Sequence, residues 1–277
     1  MTEGTGVPVS PFIVVKSAGE MASAITWRLY MANMRRICML DLDDPLCVRR
    51  QVSFCTALES GAAAVEGVRA VAARDRDEID AAWKTGAIAV VRITDWERIG
   101  GLAPDVVIDA ILAKRNLGTS MGEARLVIAL GPGFRAGADC HLVIETNRGH
   151  DLGRIITSGS AEPNTGIPGD IAGHTDERVL RAPVAGTFQS QRAIGDMVRR
   201  NDVVGQVAGH PVIARLDGML RGLIRPGTAV VAAMKLGDID PRGKREHCHT
   251  ISDKARAIAG AVLEGVMRYC NRPSTAA

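Results

Sequence analysis

Aromatic residues are scarce in this 277-residue chain, at 3% of the total. So few flat faces give bases little to stack on, and with a net charge of only +3 no nucleic-acid partner is expected. Long hydrophobic runs are missing too. Ala87–Val91 and Leu126–Leu130 are among the longest, far short of the roughly 20 residues that span a bilayer, so no membrane partner is expected. Met1–Ser10 lacks a basic residue followed by an apolar stretch, the pattern of a secretory leader. Six cysteines, at 38, 47, 55, 140, 248 and 270, include no C-x-x-C pair. Neither a disulfide framework nor a zinc ribbon is expected, and the chain reads as soluble and cytoplasmic.

What is present is ordinary for a globular fold: 46% hydrophobic and 23% charged residues, which excludes a disordered or collagen-like chain. Apolar runs at Phe12–Val15, Arg36–Leu40, Ala87–Ile93, Val106–Leu112, Leu126–Leu130 and Leu142–Glu145 lack polar alternation. They read as strands of a mostly parallel sheet covered on both faces. Met21, Ile25 and Leu29 recur at helical spacing, and Arg74–Thr85 reads as a second helix.

Between the first strand and helix lies Ser17-x-Gly19-x-x-Ala22. A dinucleotide-binding turn has the form G-x-G-x-x-G/A, because backbone must approach a phosphate at a helix N-terminus. Gly19 and Ala22 fit, while serine stands at the first glycine position. Asp41 or Asp43 occupies the place of the acid that takes a ribose hydroxyl. Gly131-Pro132-Gly133-Phe134 directly follows one strand, and Glu145–Arg154, with Asn147, Arg148 and His150, follows another. Loops at the carboxyl ends of such strands bind ligands, and an Arg fork with exposed amides suits a phosphate.

The second half contains an internal repeat. Gly186 matches Gly218, Gly195 matches Gly227 and Val198 matches Val230, without gaps. Short β segments with glycine turns predict two halves of a small sandwich or barrel, similar to a biotinyl or lipoyl carrier domain. Ala233-Met234-Lys235 looks like a biotin attachment motif, yet a carrier holds its lysine on the hairpin joining the halves. That hairpin is Val207–Pro211 and has no lysine, so no covalent biotin is expected. From Arg192 to Arg256, twelve Lys or Arg face seven Asp or Glu, which reads first as a solvated basic face.

Asp238, Asp240, His247, Cys248 and His249 have metal-binding side chains, but adjacent ligands in one loop do not match zinc spacings. No metal site is assigned. Neighbouring His and Arg and a following helix N-terminus would lower the thiol pKa of Cys248 and make it a candidate nucleophile. Ser252 caps a helix whose stripe runs through Ala255, Ile258, Ala259, Val262, Leu263, Val266, Met267 and Cys270.

The chain after Pro11 resembles the selenium-dependent molybdenum hydroxylase accessory family, the YqeB-type proteins. The likeness is carried by Lys16–Ala22, Pro45–Arg50 with Val52–Phe54, Gly131–Phe134 and Glu145–His150, then by Asn164–Gly166, Arg178–Pro183, Gly237–Arg242 and Ile251–Ile258. It departs at Ser17, where the family turn usually begins with glycine, and at Cys47, usually alanine. The resemblance implies a maturation factor that binds or handles the molybdenum cofactor, as molybdopterin or its dinucleotide, for an apo-hydroxylase partner. Gly19, Glu20, Asp41, Asn147, Arg148 and His150 would contact this small-molecule cofactor, and Cys248 would relay sulfur or selenium. An NAD(P)-dependent oxidoreductase and a non-catalytic scaffold docking the apo-hydroxylase are the alternatives. Self-association into a homo-oligomer is left open.

The expected organisation is a disordered N-terminus over residues 1–11 and a Rossmann-like, mostly parallel α/β domain over 12–175. A β-rich biotinyl/lipoyl-like barrel-sandwich follows over 176–240, with a loop and C-terminal helix over 241–277 that packs back on the first domain.

Overall fold

The computed structural model describes residues 10–271. Most of the expected disordered N-terminus lies outside the described residues, while Pro11 is buried. The chain forms two compact units. The first takes its described residues from Met1–Pro45, Ser53–Asn164 and Ser252–Ala277, and the second from Leu46–Val52 and Thr165–Ile251.

The first unit begins β1 (Ile13–Lys16), α1 (Glu20–Met31), β2 (Ile37–Asp41), α2 (Ala57–Ser60), β3 (Ala62–Val65) and β4 (Val68–Ala73). It continues α3 (Arg76–Lys84), β5 (Ile88–Arg92), α4 (Ile93–Ile99), β6 (Val106–Asp109), β7 (Leu126–Leu130), β8 (Leu142–Ile144) and β9 (Ile155–Ile156). The strands form one sheet in the order β3-β4-β5-β2-β1-β6-β7-β8-β9. Interior neighbours run parallel, and β6 and β7 are buried along their whole length, as sheets with both faces covered require. One face packs Phe12, Val14, Cys38 and Val107 against Trp83 and Trp96, with the Phe12 and Trp83 rings edge-on at 5.3 Å.

In the second unit come β10 (Val179–Arg181), β11 (Gly186–Gln189), β12 (Met197–Val198), β13 (Val203–Val207), β14 (His210–Ile213) and β15 (Gly218–Leu223). β16 (Ala229–Val230), β17 (Lys235–Asp240) and the short α5 (Glu246–His249) complete it. The chain then returns to the first unit in α6 (Asp253–Cys270), which packs on α1. Ser252 caps α6 by accepting the Ala255 amide. The buried stripe of α6 drifts from the expected one: Ala261 and Gly265 are buried, whereas Met267 is exposed and Cys270 only partly covered. At Gly265 an added Cβ would sit 3.0 Å from a terminal methyl of Leu142, so that side chain would have to shift.

The expected Rossmann-like sheet followed by a barrel-sandwich is corrected. The large sheet is mixed, with antiparallel pairs at both edges, β3 with β4 and β8 with β9. The cause at one edge is local. Glu66 and Gly67, both at positive φ, make the two-residue turn of a hairpin, which reverses the chain without a crossover. The second unit is two four-stranded antiparallel sheets, β10-β17-β15-β12 and β14-β13-β11-β16. The repeat shows as an exchange of partners. Gly186 in β11 pairs with Val230, and its counterpart Gly218 in β15 pairs with Val198. Lys235–Asp240 is a strand outside the repeat that joins β10 to β15, so Lys235 opens a strand and is not on a hairpin.

Asp238 and Asp240 lie on β17, 2% and 1% exposed. Buried carboxylates need paired donors, and arginines supply them. Asp238 accepts Arg178 at 3.0 Å and the Arg221 Nε at 2.9 Å. Asp240 accepts the Arg242 side chain at 2.9 and 2.6 Å, with His247 Nδ1 at 3.3 Å. Burial raises the Asp240 pKa, but the Arg242 bonds and the Arg221 charge outweigh it and hold the carboxyl below its ordinary value. Removing one partner of such a pair costs about 3–5 kcal/mol. Asp238→Ala is therefore expected to lower the unfolding free energy obtained from a urea titration by that order and to shift its midpoint down, since it strands Arg178 and Arg221. A midpoint unchanged within error would contradict this account.

Candidate functional site

The carboxyl ends of β1, β6, β7 and β8 bring together charged side chains from distant parts of the first unit. The parallel register places Lys16 beside Asp109. Asp109 is buried and accepts the Thr119 hydroxyl at 2.7 Å and the Ile111 amide at 3.1 Å. Lys16 Nζ donates to Thr119 at 2.7 Å and pairs with Glu123 at 2.7 Å. This cation is matched.

Beyond β8, Glu145 is buried and accepts the amides of Asn147 and Glu162, each at 2.7 Å. Asn147 in turn donates its side-chain amide to Glu162. Arg148 forms a two-pronged bond with Asp253, at 2.8 and 3.0 Å, tying the loop to the first turn of α6. His150 is exposed on the same loop. Gly131 and Gly133 are required for packing here. Both have positive φ, and a Cβ at Gly133 would lie 2.5 Å from the Arg115 Cα.

Lys254, one residue after Asp253, is the residue that sequence reasoning missed as a site member. It is partly buried and makes no hydrogen bond or ion pair among the described residues. Burial lowers its pKa, and the positive charges of Arg148 and Lys114 add to that, while Glu20 and Glu145 oppose it. The sequence signal was slight: one lysine following a helix cap. Glu20 accepts the Ser252 hydroxyl at 3.2 Å, and the amides around Glu145 engage its carboxylate. Glu20 and Glu145 thus have donors of their own while still acting on Lys254 by charge, and the ammonium has no hydrogen-bond acceptor among the described residues.

The β1–α1 turn is organised differently from the expected nucleotide turn. Ser17 adopts φ 85°, the left-handed region where glycine is usual. Its Oγ accepts the Gly19 amide at 3.1 Å, and Asp41 accepts the Ala18 amide at 2.6 Å. Burial raises the Asp41 pKa, against bonds from Ala18, Leu42 and Ser17. The Ala18 and Gly19 amides of the turn are therefore engaged within the protein, and the carboxylate at the ribose position holds the turn closed. The structure brings Glu20, Asn147 and Arg148 into the neighbourhood of Lys254 and places Asp41 on the turn.

Cys248 lies elsewhere, 1% exposed in the apolar core of the second unit. Its Sγ is 3.8 Å from the Leu220 carbonyl. Burial pushes the thiol pKa up, outweighing the charges of Arg49, Arg221 and Arg245, so the expected lowering does not occur. Asp238, Asp240 and His247 form the arginine network, and no group of three or more His, Cys, Asp or Glu among the described residues is arranged to hold a metal. No helix among the described residues is long and apolar enough to cross a membrane.

Comparison with known proteins finds similarity along most of the chain. It is 48% identical over 255 residues to the uncharacterized protein YqeB of Escherichia coli (strain K12). The match covers 92% of this chain and 47% of that protein, so the chain spans about half the length of its relative. No family model matches. Among solved structures, a succinylglutamate desuccinylase/aspartoacylase from Rhodobacter sphaeroides aligns at 19% identity and TM-score 0.22, over 31% of this chain and 30% of that one. The ectoine utilization protein of Ruegeria pomeroyi aligns at 10% identity and TM-score 0.23, over 82% and 56%. An aspartoacylase family protein from Mesorhizobium loti aligns at 11% and TM-score 0.25, over 83% and 84%. TM-scores of this size mark partial likeness only.

A buried, high-pKa thiol reacts slowly. In a native titration with Ellman's reagent at pH 8, Cys248→Ala is expected to leave the number of fast-reacting thiols unchanged. A count reduced by one would show that Cys248 is accessible and restore it as a relay.

Proposed function

We propose that the first unit binds an anionic small molecule at the carboxyl ends of β1, β6, β7 and β8. In this reading the molecule is the phosphate-bearing molybdenum cofactor, molybdopterin or its dinucleotide form, handled as cargo for an apo molybdenum hydroxylase. The observation that carries the anion site is Lys254, a partly buried ammonium without a hydrogen-bond or ion-pair partner among the described residues, beside Arg148 and Lys114. An anion there would supply the acceptor that Lys254 lacks among the described residues, with Arg148 and Lys114 adding attraction that Glu20 and Glu145 oppose. The resemblance to the YqeB-type proteins supplies the cofactor and the hydroxylase partner. The burial of Cys248 gives no support to a sulfur or selenium relay, so the proposed role is binding and delivery.

The sign of the Lys254 shift sets its pH behaviour. A lysine pKa below its unfolded value means that the unfolded chain holds the proton more tightly. At neutral pH the charged Lys254 therefore works against folding, and the penalty fades as pH rises from the lowered pKa to the ordinary lysine value. A bound anion reverses this preference and favours the charged form. Lys254→Met is expected to weaken pyrophosphate binding, measured by calorimetry, by about tenfold or more, while the melting temperature stays level or rises. Wild-type affinity should fall as pH climbs through the lowered lysine range, and the variant should lose that slope. Undiminished pyrophosphate binding by Lys254→Met would refute the site.

A further inference from the structure

We infer that Asp253 is an internal stand-in for the ligand: its carboxylate holds the Arg148 guanidinium until an anion takes that place, and this competition sets the affinity for cargo. The inference rests on the anion-site reading above and adds to it the residue that moderates binding.

The geometry is that of a fork. Arg148 Nη1 and Nη2 donate to the two Asp253 carboxylate oxygens at 2.8 and 3.0 Å. Arginine takes a phosphate through the same paired bonds, so that end of the guanidinium cannot hold both acids at once. The bond also brings the guanidinium to the residue directly before Lys254, and its charge acts on that ammonium.

The structure does not depend on this pair. The loop that carries Arg148 is closed by its own backbone, with the Gly153 amide on the Glu145 carbonyl and the Glu145 amide on the Arg154 carbonyl, each at 2.9 Å. It is docked on α6 one turn beyond Asp253, where a Cβ at Gly153 would lie 3.3 Å from the Ala257 carbonyl oxygen. The first turn of α6 is capped by Ser252, which accepts the Ala255 amide and donates to Glu20. Loop and helix are therefore held without the fork. The Asp253 side chain is 74% exposed and that of Arg148 34%, and exposed ion pairs contribute little to stability. A released Asp253 carboxylate would turn into water, where its charge is solvated, while Arg148 exchanges one acid for another. A competitor for the fork lowers the apparent affinity of any anion that uses it, by the fraction of molecules in which the fork is taken. A carrier that must hand its cargo on is served by such moderation.

The experiment measures pyrophosphate binding by calorimetry in wild-type protein and in Asp253→Asn, which removes the charge and keeps the shape. The variant is expected to melt close to the wild type and to bind about fivefold more tightly. A crystal structure of wild-type protein with pyrophosphate is expected to show both Arg148 Nη atoms on phosphate oxygens and the Asp253 carboxylate in solvent. Unchanged or weaker binding by the folded variant overturns the stand-in role. So does a complex in which Arg148 still holds Asp253. Either result leaves the anion site standing so long as Lys254→Met weakens binding. Wild-type protein that binds no pyrophosphate, or binding insensitive to Lys254→Met, overturns the anion site and this inference with it.

Discussion

A carboxylate at the end of a buried strand must find donors or remain uncharged, and the first unit is arranged around that requirement. Asp41, Asp109 and Glu145 each end a strand or follow one directly. Each turns to backbone amides: Asp41 to Ala18 and Leu42, Asp109 to Ile111, and Glu145 to Asn147 and Glu162. These bonds shape the loops along the carboxyl edge of the sheet. Each carboxylate keeps its charge while accepting these bonds, and Glu145, with Glu20, still attracts the Lys254 ammonium. Lys254, Arg148 and Lys114 stand among these acids, and Asp253 answers Arg148. The proposed anion site needs no metal ligand and no glycine-rich nucleotide turn.

The second unit meets the same requirement with side chains. Asp238 and Asp240 alternate along β17 and face arginines drawn from β10's leading turn, from β15 and from the residue after Pro241. Such a network contributes less net stability than its bonds suggest, because desolvating the charges offsets the attraction. It does restrict the geometry, since each carboxylate has donors only when these strands are in register. Cys248 is packed beneath this layer as an apolar residue.

The parts of the fold legible in the sequence are those with strong local signals. Leu126–Leu130 is a strand over the very residues its apolar run marks, and the capped stripe from Ser252 marks α6. The β3–β4 hairpin was missed because alanines, Ala62–Ala64 and Ala70 with Ala72 and Ala73, give no clear strand pattern. Lys235–Asp240 looked like a polar loop because the arginines that neutralise its acids lie up to 60 residues away. Cys248 looked activated for the same reason in reverse: neighbours in sequence supply charge, while packing supplies the burial that outweighs it. Glu20, Asn147 and Arg148 are expected at the cofactor from the resemblance, and Glu20 and Arg148 act on Lys254 by charge. Lys254 gives no signal in the sequence, because its lack of a hydrogen-bond or ion-pair partner among the described residues exists only in three dimensions.

The central claim is that Lys254 marks a site for a phosphate-bearing cofactor. Native mass spectrometry, with elemental analysis for molybdenum and selenium, on wild-type and Lys254→Met protein purified from the same native host tests it most directly. The account predicts a bound mass matching a molybdopterin species, with molybdenum, in the wild type and its loss in the folded variant. Wild-type protein without such a mass, or a variant that retains it in full, would contradict the claim.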